Sequence, residues 1–400
     1  MLNLKKVSFY RFLIIGAFFS LFQGLVHPIT PIFFKNLNFP DYVFGIVYAS
    51  TSVGTFLFSP FWGRLGDKIG HAKAFSLSIP IYAASQAAFG LSTTPIMAVI
   101  TRFISGMAGG GSQVVALAYI VNSSNSENRG KVMSYYVAIN GVCSSIGYFV
   151  GGSVGNKNIP AVFFIQVIGF CLVSILNYIF IKDPEEEDLS YVLPSNSIDL
   201  FSKMKYLMPK SLSLLFITVF LTSLSAIAFD NSFNYYINDT LNLPSTYNGN
   251  IKAITGIVGL IANFTINIYL AKNTDLNKSV IIILLMCGIL SLATPFISDV
   301  NMFFFISIIY YTFNTIYSPI QQVLVMEYAD EKSSGVISGL LSSVRSVGWI
   351  IGSLVVGFLY SIEVRLPFIV TSAAFFLGTA VSVYIYVRLK KLQENKVLQM

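Results

Sequence analysis

Apolar stretches of about twenty residues recur along the whole chain, parted by short clusters of charge, glycine and proline. They predict twelve helices, over 9–34, 42–62, 73–92, 94–120, 131–154, 160–181, 211–238, 247–271, 279–298, 301–326, 335–359 and 365–387. A run of about 20 apolar residues spans a hydrocarbon core of about 30 Å. Glycine and proline inside such runs are tolerated, because neighbouring helices and local backbone adjustments satisfy the freed polar groups. The pattern therefore predicts an all-α integral membrane protein.

Composition agrees. Of the 400 residues, 54% are hydrophobic and 11% charged, the latter less than half the usual share of about a quarter. Lys5 and Lys6 precede a long apolar run with no small-residue cleavage pattern after it, so the first helix is expected to be retained. Cys143, Cys171 and Cys287 all fall inside apolar runs, and His27 and His71 lie far apart. Neither a disulfide framework nor a metal site is expected, and no cofactor. The chain has no nucleotide-binding Walker sequence and no nucleophile–base constellation, which points away from an enzyme and from an ATP-driven pump.

Charge sets the expected orientation. With the N-terminus inside, nineteen of the 25 lysines and arginines fall on the inner side. Lys35, Lys157, Lys252 and Arg365 fall on the outer side, and Arg102 and Arg345 lie deeper within spans. This bias predicts both termini in the cytoplasm and a plasma-membrane location. The net charge of +7 then reads as topology and requires no nucleic-acid partner. Oligomeric state is not encoded in any feature of the pattern, and a monomer is compatible with it.

The longest inner segment, KDPEEEDLSYVLPSNSIDLFSKMKYLMPKS, separates two six-span bundles at 1–182 and 211–400, with 183–210 as a cytoplasmic linker. Ile198, Phe201 and Met208 would give a short interfacial helix one apolar face, or the segment is a solvated linker. The bundles are related. A shift of 205 residues places Gly130 on Gly335, Gly147 on Gly352, Gly152 on Gly357, Leu65 on Leu270 and Lys73 on Lys278. Duplicated bundles are expected to hold a midplane site between them and to rock about it.

Four spans carry polar residues at helical spacing, one from each three-helix unit. They are Ser20, Gln23, His27 and Thr30 in span 1; Arg102, Gly106, Gly109 and Gln113 in span 4; Ser223, Asp230 and Asn234 in span 7; and Asn314, Ser318 and Gln321 in span 10. Read together, they form a substrate cavity with Gln23, His27, Gln113, Asn234, Asn314 and Gln321 as its lining. Interhelical hydrogen bonding is the other reading of the same pattern. Asp230 is the one acid well inside a span. Its charged form is costly there, which suits proton uptake or recognition of a cation, unless it is held in a permanent ion pair with Arg102 or Arg345.

The segment between spans 2 and 3, GRLGDKIGHAK at Gly63 to Lys73, resembles the loop signature of the major facilitator superfamily, with Lys68 at a usual arginine and His71 and Ala72 at basic positions. Arg102 to Gly109, RFISGMAG, is similar to the family's span 4 motif, and Glu127 to Lys131, ENRGK, to the loop after it. In span 5, GYFVGG at Gly147 to Gly152 keeps the glycines of the drug antiporter branch but has Tyr148 at its proline. The resemblance covers nearly the whole chain. It implies the major facilitator fold, with twelve helices in two pseudo-symmetric bundles, and a secondary transporter working by alternating access. It further implies proton-coupled efflux of small amphipathic or cationic compounds, with protons, a small-molecule substrate and the bilayer as partners. Arg102 inherits a proton-coupling role beside Asp230. Gly63, Asp67, Lys68, Gly70 and Arg129 form a cytoplasmic latch, with Asp67 expected to meet the N-terminus of helix 11 and the preceding helix expected to end near Gly63. Tyr148 leaves open a uniporter or symporter of a sugar, another metabolite or a lipid. A non-transporting receptor or assembly factor is the rival of a different class.

Overall fold

A computed structural model of the protein describes residues 2–124, 129–183, 210–328 and 334–397. The described residues are helical throughout, apart from short connections. In chain order the helices are α1 (Leu2–Gly24), α2 (Thr30–Asn36), α3 (Tyr42–Ile69), α4 (His71–Gly90), α5 (Pro95–Asn122), α6 (Arg129–Gly155), α7 (Ile159–Phe180), α8 (Lys210–Asp239), α9 (Ser245–Ala262), α10 (Ile268–Asn273), α11 (Leu276–Ala293), α12 (Val300–Met326), α13 (Ser334–Ile362) and α14 (Leu366–Val397). The linker with Ile198, Phe201 and Met208 lies outside the described residues.

Eleven spans are long and apolar enough to cross a membrane among the described residues. The predicted third span, α4, is not among them, and its sequence shows why. Ser76, Ser78, Ser85 and Gln86 lower its hydropathy, yet all four are buried. Ser78 pairs with Ser112 at 2.8 Å and Ser85 with Ser105 at 2.9 Å, both on α5. Asn177 of α7 donates to Ser76 Oγ at 2.8 Å. Lipid tails give helices no hydrophobic reason to associate, so such bonds and close small-residue packing hold the bundle together.

Proline and glycine account for the departures from regular helix. The first span is broken after Gly24 by a 3₁₀ turn at His27–Ile29, and Pro28 and Pro31 head the two short segments that follow. The second span does not end near Gly63: α3 runs to Ile69, and Gly70 alone separates it from α4. The expected loop is thus the last two turns of α3, a one-residue elbow and the start of α4. Gly70 has φ +98°, a conformation open to glycine.

The chain divides into two compact units. The first comprises Met1–Glu186, Asn231–Leu260 and Val356–Val364; the second comprises Glu187–Asp230, Ile261–Val355 and Arg365–Met400. In the first unit, α5 packs on α3 and α4 through a run of glycines. A Cβ at Gly106 would overlap the Thr51 carbonyl, and one at Gly111 the Trp62 ring, whose Nε1 donates to Met107 O at 2.9 Å. An aromatic core of Phe12, Phe19, Phe75, Tyr82, Tyr119 and Phe170 fills the space among α1, α4, α5 and α7. In the second unit, Phe229 stacks on Tyr310 with ring centroids 3.6 Å apart, and Ser372 of α14 donates to Gly288 O of α11 at 2.7 Å.

Candidate functional site

The first unit gathers one group of the sequence-predicted residues. Arg102 on α5 is 9% exposed. Its Nη2 donates to Thr30 Oγ1 at 3.3 Å, and its guanidinium lies 3.9 Å over the Phe89 ring. Its Nε is buried without a hydrogen-bond partner, and no carboxylate partners Arg102 among the described residues. Tyr48 and Tyr82 stand within its electrostatic reach. Breaking the helix at His27 is what delivers Thr30 to the arginine. It also exposes the His27 carbonyl, which accepts from Asn234 Nδ2 at 3.0 Å; Asn234 also donates to the Tyr48 hydroxyl at 3.3 Å. The His27 ring meets Tyr48 and Tyr148, with centroids 5.8 and 5.4 Å away. Gln113 donates to Gln23 at 3.4 Å, so these two predicted cavity residues bridge α5 and α1.

Lys252, counted by the sequence reading among the outer-side charges, is buried in α9, on one face with buried Asn248 and Thr255. His27 lies within electrostatic reach of both Lys252 and Arg102. The signal available was helical spacing: Asn248, Lys252 and Thr255 repeat at i, i+4 and i+7 in a span whose other face is apolar.

The second unit holds the other group. Asp230, inside α8, accepts from the Tyr311 hydroxyl at 2.9 Å. Arg345 instead donates to the carbonyl and hydroxyl of Ser318, at 3.3 and 3.4 Å. Gln321 accepts from Thr222 at 3.1 Å, while its Nε2 is buried without a partner. Asn314 Oδ1 is likewise buried and unpartnered.

At the distal end of the first unit, where α2 hands over to α3, two helix crossings close on bare backbone. At one, α6 meets α9: a Cβ on Gly152 would lie 2.6 Å from Ser245 O and 3.0 Å from Gly249 Cα. At the other, α13 meets α3: a Cβ on Gly357 would lie 2.7 Å from Gly45 Cα and 2.8 Å from Tyr42 O. Gly152 and Gly357 are separated by the repeat offset of 205 residues. Around them, Tyr235 donates to Asp41 at 2.9 Å and stacks on Phe44 at 4.4 Å, Tyr42 stacks on Phe358 at 6.1 Å, and Lys35 lies 3.8 Å from Asp239.

Of the predicted latch residues, Asp67, Lys68 and Gly70 lie at the elbow. Gly63 is buried on α3, Lys68 is exposed, and Asp67 contacts His71 Nε2 at 3.3 Å across one turn. Arg129 opens α6, but its side chain lies outside the described residues. The acid that binds a helix N-terminus here is Asp183, which sequence reading passed over. It accepts from Ala72 N–H at 2.7 Å and from Lys73 N–H at 3.4 Å at the start of α4. A Cβ at Gly70 would overlap its carboxylate. Only the fold could reveal this contact, which joins residues 111 apart in sequence.

The Major Facilitator Superfamily model matches residues 12–353 and 215–399. The chain is 20% identical to Multidrug resistance protein 2 of Bacillus subtilis strain 168, over 89% of each chain. It is 25% identical to Quinolone resistance protein NorA of Staphylococcus aureus strain MSSA476, over 86% of this chain and 87% of that protein. The crystal structure of a bacterial homolog of the human lysosomal transporter Spinster, inward-facing and unoccupied, superposes with a TM-score of 0.75 at 11% identity, over 96% of this chain and 97% of that one. The glycine-closed crossings, the polar groups carried by the spans and the full-length match converge: the chain belongs to the major facilitator superfamily, a family of multi-pass membrane transporters and not of enzymes.

Proposed function

We infer that the protein is a proton-coupled exporter of small amphipathic or cationic compounds, working by alternating access in the plasma membrane with both termini in the cytoplasm. Asp230 carries this reading. It is a carboxyl group placed inside a membrane helix, with a tyrosine hydroxyl at 2.9 Å able to hold its charged form. Without the proton such a group is costly in the bilayer, so it exchanges protons as its surroundings alternate. Arg102 acts as its electrostatic counterpart in the cycle. Gln23, His27, Gln113, Asn234, Asn314 and Gln321 supply polar contacts to the cargo, and Gly63, Asp67, Lys68, Gly70 and Arg129 latch the cytoplasmic side. The names of the relatives at 20–25% identity, drug-resistance proteins, support the choice of cargo.

In vesicles with an imposed pH gradient, wild-type protein should drive dye flux that follows the gradient, and Asp230→Asn should lose that dependence. Dye flux indifferent to both would remove the mechanism. The second reading, uniport or symport of a sugar, another metabolite or a lipid, draws on Tyr148, which packs its ring on His27 where the drug antiporter branch has proline. Metabolite movement without dye movement in the same vesicles would favour it.

A further inference from the structure

We propose that the second unit holds a resident water molecule in a polar cavity of its own, where it completes the hydrogen bonding of Gln321 and ties that residue to α8 and α14. Such a site holds whatever the cargo and its coupling are. The cavity is walled by four helices of the second unit. Thr218 of α8, Asn277 of α11, Gln321 of α12 and Ser382 of α14 supply its polar lining, and the remaining wall is leucine, valine and isoleucine. Its volume is about 10 Å³, the room that one water molecule needs. No charged side chain lines it among the described residues, so a bare cation there would go unpaired at high cost.

Gln321 is 3% exposed, and its Nε2 is buried without a hydrogen-bond partner. Thr218 and Ser382 are buried as well. Each spends its one hydroxyl proton on its own helix, Thr218 donating to Leu214 O at 3.2 Å and Ser382 to Gly378 O at 2.9 Å. The amide therefore offers protons to the cavity, and the two hydroxyl oxygens offer lone pairs. A water molecule matches both: it accepts from Gln321 Nε2 and donates to Thr218 and Ser382. Left unmatched, a buried amide proton carries its full desolvation penalty. The water also sets which way the amide points. Thr222 has one proton and two acceptors at 3.1 Å, Val219 O and Gln321 Oε1, so its hydroxyl alone does not hold the amide one way round. With Nε2 bound to water, Oε1 is turned to Thr222. Tyr317 donates to the carbonyl of the same Thr222 at 3.2 Å. The water thus supports the grip of α12 on α8, the helix that carries Asp230.

The test uses purified full-length protein in lipid nanodiscs and X-ray radiolysis, which makes hydroxyl radicals from bound water as well as from bulk. Oxidation is then read residue by residue by mass spectrometry. Leu324 and Ile385 on the cavity wall are buried, and so are Leu290 and Phe303, farther along α11 and α12. In wild type, Leu324 and Ile385 should be oxidised well above Leu290 and Phe303. Thr218→Val combined with Ser382→Ala, and separately Gln321→Leu, should bring them down to the level of that pair. Should these variants not give monodisperse protein, Thr218→Val alone, which keeps the side-chain shape, should lower the oxidation of Leu324 and Ile385. Wild-type oxidation of Leu324 and Ile385 no higher than that of Leu290 and Phe303 would overturn the proposal. So would oxidation as high in every monodisperse variant as in wild type. A rise in their oxidation when sodium is exchanged for a bulky organic cation would assign the site to a metal ion and overturn it too.

Discussion

Replacing Gly357 by alanine places one methyl group where the distal crossing has no room. Its Cβ would sit 2.7 Å from Gly45 Cα and 2.8 Å from Tyr42 O, against a comfortable separation of about 3.5–4.0 Å. Both obstacles are backbone, so no side chain can swing aside; the helices must part. Overpacking of this kind costs about 1–3 kcal/mol. On the alternating-access reading proposed above, the cost falls only on the closed arrangement, and the equilibrium should move toward distal opening by about 5- to 150-fold. A reporter is available at Ser245, which is 0% exposed at the other crossing and nearly isosteric with cysteine. In a background with Cys143, Cys171 and Cys287 replaced, Ser245→Cys should react slowly with a membrane-impermeant maleimide added from the distal side. Adding Gly357→Ala should raise that rate by the factor above. Gly339→Ala, on the same helix but with nothing within 4 Å of its Cβ, should leave it unchanged. Equal labelling with and without Gly357→Ala, or equal acceleration by Gly339→Ala, would refute the reasoning.

Two further outcomes follow from the side of the termini. Asp183→Ala leaves the N–H of Ala72 without its acceptor and should lower stability by about 0.5–2 kcal/mol. Gly70→Ala should be worse, since it meets both a positive φ and the Asp183 carboxylate; thermal melts that rank the two variants the other way would contradict the cap. Glu327, at the end of α12 and outside the spans, has its proton affinity raised by partial burial and by Asp275. The protonated form is therefore favoured in the folded chain, so stability declines as pH rises through the ordinary carboxylate range. Glu327→Gln should flatten that decline in melting temperature, and an unchanged pH profile would count against it.

The spans were legible because a bilayer imposes length and apolarity on every crossing segment, and the predicted ends of α8 and α12 fall within a residue of those observed. The end of α3 was not, because its polar last two turns, Gly63 to Ile69, read as loop by composition while continuing as helix. The same limit hid the burial of Lys252: near a span end, charge alone does not distinguish a lysine at the surface from one turned into the protein. Glycine pairing was half legible. The repeat offset picked out Gly152 and Gly357, but their partners Gly249 and Gly45 emerged only when the backbones met. The candidate lining residues were found by period. Whether each of them bonds across helices, as Gln23 does to Gln113 and Thr222 to Gln321, depends on side-chain direction, which period does not specify.

The one-residue elbow at Gly70 leaves the chain no slack between α3 and α4. Inserting a single residue there would turn α4 by about 100° about its own axis. Ser76, now buried, would then take the place of Leu77, which is 51% exposed, and Leu77 would take the buried place of Ser78. Most connections between helices absorb added length harmlessly; this one acts as a register mark, and its length is as much a part of the protein's specification as the identity of any side chain.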